Sequence, residues 1–189
     1  MLLNRIYRRV FETGSVFASF LRIVHLRLKY PGAKINFGCR ISSSCLISCT
    51  DDSSMILENV IIRQNAVLIA DRGGKLRIVD SYIGFGCVIV AGVSIEIDEN
   101  CALAEMVVIR DQDHKFGDGR DLRSSGMRHS PIKLGKNIWV GSKASILRGV
   151  TIGDNAVIGA SAVVTKEIAA GSVAVGIPAR VINQIDEAS

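Results

Sequence analysis

Residues 134–164 read LGKNIWVGSKASILRGVTIGDNAVIGASAVV, and their rhythm decides the fold. Aliphatic residues fall every six positions, at Leu134, Val140, Ile146, Ile152, Ile158 and Val164. A small or branched residue follows four places later, at Ile138, Ala144, Val150, Ala156 and Ala162. Glycine comes directly after the aliphatic at Gly135, Gly141, Gly153 and Gly159. A helix repeats every 3.6 residues and a strand every 2, so a beat of six is neither. It fits a short strand and a turn, repeated as the coils of a parallel β-helix, with aliphatics inward and Gly or Asn at the turns. Each inward Ile or Leu contributes about 1.5–3 kcal/mol of apolar transfer. One rung cannot fold alone, but stacked rungs share a continuous core. An ordinary β-sandwich would need six hexads in phase by coincidence.

The beat can be followed outward from this stretch. It is present at Ile35, Ile41 and Ile47 and blurs over residues 50–74, where Asp71-Arg72-Gly73-Gly74 reads as a turn or small excursion. It returns at Ile83, Ile89 and Ile95, slips by two, and continues at Ile97, Leu103 and Ile109. Such slips fit bulged corners. From Arg110 to Pro131 the beat stops, and the segment is rich in Asp, Arg, Gly and Ser. A long polar insertion in a tight repeat is an excursion on one face, often the functional one. Phe116, Leu122 and Met127 are its candidate anchors. Beyond the last hexads, residues 171–178 read as a closing hairpin or loop, and residues 179–187 as a short terminal helix.

Residues 1–29 read as helix, with Leu3, Tyr7, Val10, Phe17, Phe20, Leu21, Val24 and Leu28 at helical intervals and a break expected at Gly14-Ser15. Three roles fit it. The first choice is a cap on the open end of the repeat, which repeat proteins need. The second is a basic amphipathic anchor on a membrane surface. A signal sequence is disfavoured, because the uncharged stretch from Thr13 to Leu21 is short and no cleavage site follows. No stretch approaches the ~20 apolar residues of a membrane span. Tyr30-Pro31-Gly32 marks the boundary. The expected organisation is therefore a helical segment over 1–30, an all-β parallel β-helix over 31–182 with an extended loop at 110–131, and a tail at 183–189.

Composition agrees with a narrow aliphatic column: 48% of residues are hydrophobic but only 5% aromatic. The net charge is +5, and the first 30 residues hold all of it, with Arg5, Arg8, Arg9, Arg22, Arg27 and Lys29 against Glu12. The remaining 17 basic and 17 acidic residues cancel. That distribution lacks the basic stripe with interleaved aromatics of a nucleic-acid reader. Cys39, Cys45, Cys87 and Cys101 each stand four residues after an isoleucine, in the small-residue slot, and read as small buried hydrophobes. Cys49 falls outside the slot. Five cysteines without C-x-x-C argue against a disulfide framework and a zinc site. The expected compartment is reducing and cytoplasmic, with the membrane's inner face as the alternative.

The run IGDNAVIGASAVVTKEI at 152–168, preceded by IWVGSKASILRGV at 138–150 and followed by GIPAR at 176–180, resembles the hexapeptide-repeat acyltransferases. The similarity is to the branch of maltose and galactoside O-acetyltransferases, which includes those of surface polysaccharides. It is close over 134–182, weaker over 76–116 and not detected before residue 30. The resemblance implies a left-handed prism working as a homotrimer. The hand comes from the resemblance alone, since the general rule for crossovers favours the right.

Acyl transfer from a thioester to a hydroxyl needs a base, an oxyanion donor and two aligned substrates. Histidine suits the base because its unperturbed pKa lies near neutrality. The chain has three: His25 in the helix, His129 before Pro131, and His114 at the mouth of the excursion. By itself a loop histidine among aspartates reads as a solvated residue. The resemblance implies His114 as general base, with His129 in reserve and Asp111, Asp113 or a backbone carbonyl orienting the ring. It also implies acetyl-CoA as donor in a groove between neighbouring prisms. Matching positions are Gly141, Ser142, Gly159 and Ala160 along the pantetheine arm, Trp139 as an apolar wall or trimer contact, Thr165 and Lys166 near the adenine and phosphates, and Arg180 as terminal basic residue. Lys and Arg suit phosphate oxygens, and both also fit plain surface charge. The Ser142 backbone N–H is the inferred oxyanion donor. No metal is expected.

The acceptor side departs from the sugar acetyltransferases. Their asparagine before the loop is replaced by Ala91-Gly92-Val93-Ser94, and their N-terminal acidic contact has no match. A free disaccharide is therefore disfavoured against a larger glycan, a lipid-linked sugar or a nucleotide sugar. The leading expectation is O-acetylation of a saccharide in glycan biosynthesis. An N-acetyltransferase of an amino sugar is the alternative, and a non-catalytic β-helix subunit the second. A γ-type carbonic anhydrase would need three histidines at rung spacing.

Overall fold

A computed structural model describes residues 2–185 except 51, 118, 120, 122 and 123, with side chains from residue 16 onward. The chain forms a left-handed parallel β-helix of about six coils, with one helix ahead of it. Each coil lays one short strand on each of three sheets, designated faces A, B and C. Three inward ladders run the length of the prism. Face A stacks Ile35, Leu57, Ile78, Ile97, Leu134 and Ile152. Face B stacks Ile41, Ile62, Ile83, Leu103, Val140 and Ile158. Face C stacks Ile47, Leu68, Ile89, Ile109, Ile146 and Val164. All are buried in one core.

The six-residue beat reflects one strand and one turn per face. At the turns the backbone passes through left-handed conformations at Asn59, Asn100, Asn137 and Asn155, each with φ of 53–60°. Asparagine tolerates that region better than most residues. The repeat glycines have another role. A Cβ on Gly141 would lie 2.5 Å from the Ala160 nitrogen, so glycine there lets adjacent coils approach.

The slip and the blur arise at the edge between faces C and A. Strands flanking this edge are longer, and each adds one inward residue. Face A gains the column Ala33, Met55, Leu76, Ile95 and Ile132. Face C gains Cys49, Ala70 and Ala91. Ile95 and Ile97 thus share one strand, and Cys49 is buried although it lies outside the slot. All five cysteines are free thiols, and burial pushes the thiols of Cys39, Cys45, Cys49, Cys87 and Cys101 up from their ordinary range.

Two terminal expectations need correction. The helix runs unbroken over Leu2–Lys29, so Gly14-Ser15 makes no break. One glycine costs a helix about 1 kcal/mol, less than packing on the prism returns. Ile23 is buried in the core, the Ile41 amide donates to Ser19 Oγ at 2.8 Å, and Arg22 donates to the Ile41 carbonyl at 2.9 Å. At the other end no helix follows residue 179 among the described residues. Arg180–Gln184 is a strand, antiparallel to Ser172–Val175, because the free edge of face B offers unpaired backbone groups. Residues 186–189, the rest of that expected helix and tail, lie outside the described residues.

Candidate active site

The excursion leaves and rejoins the prism at the CA edge. Its stem is a two-stranded hairpin, Gln112–His114 against Met127–His129. Gln112 pairs with His129, Asp113 with Arg128 and His114 with Met127. Side chains alternate along strands, so Gln112, His114, Met127 and His129 share one hairpin face. Both candidate histidines are therefore diagonal neighbours, and both are exposed.

Two carboxylates hold this stem. Asp111 occupies the next place in the column of Cys49, Ala70 and Ala91, and it is fully buried. Its carboxylate accepts the backbone N–H groups of Gly92, Val93 and Ser94 at 2.7, 2.8 and 2.8 Å. Charge-assisted bonds of this length are the strong ones. Asp113, on the opposite hairpin face from His114, accepts Arg148 Nε at 2.7 Å. Neither aspartate is placed to orient the His114 ring: one closes the corner, the other ties the stem to the next coil. The expected anchor Phe116 is also corrected. It is 71% exposed, with the Arg128 guanidinium 5.7 Å from its ring centre. Met127 is half-buried, and Leu122 lies outside the described residues.

Gly92 earns its place by contact. A Cβ there would come within 2.6 Å of Gln112 Oε1 and 2.9 Å of His129 Nδ1. The hairpin face carrying the histidines thus leans over the Ala91-Gly92 corner. Sequence reading missed Arg148, and of the three groups it left open to orient the His114 ring, Asp111 is engaged by the Gly92–Ser94 backbone and Asp113 by Arg148. The only signal for Arg148 was a large basic residue beside Gly149, inside an otherwise regular hexad.

The remaining candidates fall into two groups. Gly141-Ser142 and Gly159-Ala160 stack at the edge between faces B and C, where Gly141 N–H donates to the Ile158 carbonyl at 2.7 Å and Ser161 N–H to the Ser142 carbonyl at 2.8 Å. Residues 176–179 dock on the same edge, through Val163 N–H to Gly176 O and Ala179 N–H to Val163 O. Arg180 follows, exposed, with Nη1 donating to the Ala179 carbonyl at 2.8 Å. Trp139 stands 58% exposed on the outside of face B. Thr165 and Lys166 lie instead at the CA edge, exposed, one coil beyond Arg148, where Leu147 N–H donates to the Val164 carbonyl at 3.1 Å. Within one chain, then, face C separates the histidine hairpin and Lys166 from the Gly141, Ala160 and Arg180 group. Among the described residues no three His, Cys, Asp or Glu side chains gather as a metal site.

The prism and its hexads are matched in known proteins. Residues 131–166 match the family described as bacterial transferase hexapeptide (six repeats). The chain is 36% identical to a maltose O-acetyltransferase from Clostridium difficile 630, covering 75% of this chain and 72% of that one, with a TM-score of 0.53. It belongs to the hexapeptide-repeat acyltransferase family, in the branch of galactoside and maltose O-acetyltransferase-like proteins. With the galactoside O-acetyltransferase of Escherichia coli it shares 41% identity over 107 residues, 56% of this chain and about half (52%) of that protein. A structure of galactoside acetyltransferase in complex with coenzyme A aligns at 30% identity and a TM-score of 0.50, over 76% of this chain and 66% of that one. An N-acyltransferase from Bacillus cereus, in complex with dTDP and 3-hydroxybutyryl-CoA, shares the fold at a TM-score of 0.71 and 21% identity, over 86% and 88% of the two chains.

Proposed function

We propose that this protein transfers an acetyl group from acetyl-CoA to a saccharide hydroxyl, with His114 as general base. The observation that carries the reading is the hairpin stem. It is fixed at Asp111 and Arg148, and it presents an imidazole beside the regular coils of a family whose members are acyltransferases. In the step, His114 takes the proton of the acceptor hydroxyl as its oxygen attacks the thioester carbonyl. The carbon–oxygen bond forms, the oxyanion is held by the Ser142 N–H, and the carbon–sulfur bond breaks as the proton passes to the departing thiolate. The acceptor lies on the Gly92 side of the hairpin. Gly141, Ser142, Gly159, Ala160 and Trp139 hold the pantetheine arm, and Thr165, Lys166 and Arg180 the nucleotide end.

Two edges of one prism carry these residues, so the site is completed between copies, in a homotrimer. The outer surfaces support that arrangement. Face B presents Ile61, Tyr82, Ala102, Trp139 and Val157 beyond Arg40 in the first coil, and face C presents Leu46, Val67, Val88, Val108 and Val163 with Ser145 among them. Face A presents Lys34, Ile56, Arg77, Glu96, Lys133 and Thr151. The two mostly apolar faces suit contact between copies and the mostly charged or polar one suits water. We place the protein in the cytoplasm, acting on a glycan, a lipid-linked sugar or a nucleotide sugar.

The test is thiol release from acetyl-CoA with a panel of sugars, comparing the chain with His114→Ala. Loss of about 100-fold or more is expected, with the melting curve unchanged. Activity retained in His114→Ala sinks the assignment, and loss of activity in His129→Ala then moves it to the other histidine. Alkaline hydroxylamine takes the acetyl group from an ester as acetohydroxamate and spares an amide, which separates O- from N-acetylation. Light scattering checks for three chains per particle.

A further inference from the structure

The N-terminal helix has two apolar sides, and the prism uses one. Ser19 and Ile23 are buried against the first coil, with Leu26 packed against the core. Phe17, Phe20, Leu21, Val24 and Leu28 recur at three-, four- and seven-residue intervals, which puts them on the opposite side. Phe17 is 64% exposed and Leu28 81%. The patch extends onto the prism at Phe37, 54% exposed at the first corner, whose ring stacks on Phe20 with centroids 5.1 Å apart. Two separate segments thus build one outward apolar surface at the N-terminal end. In the sequence the same helical phase continues upstream with Leu3, Ile6 and Val10.

Charge identifies the occupant. The first 30 residues carry six basic side chains against one acid, the entire net charge of the chain. Arg27 lies 4.8 Å over the Phe37 ring at the border of the patch, and Lys29 follows Leu28. A second copy would bring the same positive charge to the contact and be repelled. Anionic headgroups would be attracted, while the apolar stripe enters the acyl boundary. No described helix is long and apolar enough to cross a membrane, so the helix would lie on the surface. We propose that this stripe docks the protein on an anionic lipid surface, with Phe17, Phe20, Leu21, Leu28 and Phe37 inserted and the prism held outside. The proposal stands independently of acyl transfer.

Flotation of the full chain with phosphatidylcholine vesicles, with and without roughly a third phosphatidylserine, tests it. The chain should float with the anionic vesicles at low salt and not with the neutral ones, and added salt should release it. L21E/L28E changes exposed residues only; it should keep its circular dichroism and lose about tenfold or more in vesicle partition. Should that variant fail to fold, Phe17→Glu repeats the measurement one turn upstream. Absence of flotation with anionic vesicles overturns the proposal, as does equal flotation of the variant. So does a lipid-free particle mass that falls in the variant, which would assign the stripe to a second copy.

Discussion

Two edges of the prism keep step and the third does not. Across the AB and BC edges the inward ladders advance by five or six residues in every coil, as from Ile35 to Ile41 to Ile47 and from Leu134 to Val140 to Ile146. Across the CA edge the spans are Ile47 to Leu57, Leu68 to Ile78, Ile89 to Ile97, Ile109 to Leu134 and Ile146 to Ile152. They run from six residues to the whole excursion. A one-residue shift of a strand within its face would turn its aliphatics outward; the BC edge keeps six residues throughout, and the AB edge takes up its two five-residue spans, Leu57 to Ile62 and Ile78 to Ile83, in the turn. The loose edge absorbs insertions, since length added at a corner leaves the ladders in register. The candidate catalytic hairpin stands on the edge that can change without unstacking the core.

That contrast can be broken first at the regular coils. Ile146→Ala removes a fully buried member of the face C ladder and should cost about 2–5 kcal/mol, read as a fall in the urea midpoint. A cost under 1 kcal/mol would mean that these coils are less tightly stacked than the ladders imply. Asp111→Asn tests the CA edge. One neutral oxygen replaces a carboxylate that receives three N–H groups, and about 1–3 kcal/mol should be lost. Acetyl transfer should fall more steeply than stability, because the hairpin stem starts there. Arg148→Ala should change the unfolding free energy by less than about 1 kcal/mol, its ion pair being partly exposed. Its expected effect is about a tenfold lower turnover, through a loosened His114 stem. Unchanged turnover in Arg148→Ala would remove it as a positioning residue.

The smallest effect concerns the core thiols. Burial holds Cys39, Cys87 and Cys101 above the ordinary thiol range, so the folded chain binds these protons more tightly than the unfolded one. This contribution is complete below about pH 8.5 and is lost as pH rises through the folded-state values. Urea midpoints should therefore decline from neutral to alkaline pH, and the decline should be shallower in Cys87→Ala. An identical slope in that variant would show that other groups carry the alkaline loss.

Much of the fold was legible because a column built of identical rungs repeats its physical requirement at fixed intervals. Each inward slot demands an aliphatic side chain, and six in phase from Leu134 to Val164 leave little else to build. The place of the excursion was legible too, as the stretch where that demand lapses. The blur at residues 50–74 was harder, since the CA edge adds inward positions such as Met55 and Leu76 that a six-residue count does not anticipate. Phe116 drew attention as an apolar residue in a polar loop, yet apolarity alone does not say whether a ring finds a partner.

By itself, the amino-acid order determined the period, the ladders, the interruption at 110–131 and the concentration of positive charge in the first 30 residues, because each depends on local spacing or simple counting. Only the tertiary structure decided what Asp111 and Arg148 hold, why Gly92 is glycine, that residues 180–184 pair as a strand, and that the candidate site residues divide between two edges. The contacts of Asp111, Arg148 and Gly92 join residues 17 to 37 positions apart, and the terminal strand takes the free edge of face B, so partners are chosen by how coils stack rather than by what lies next in the chain.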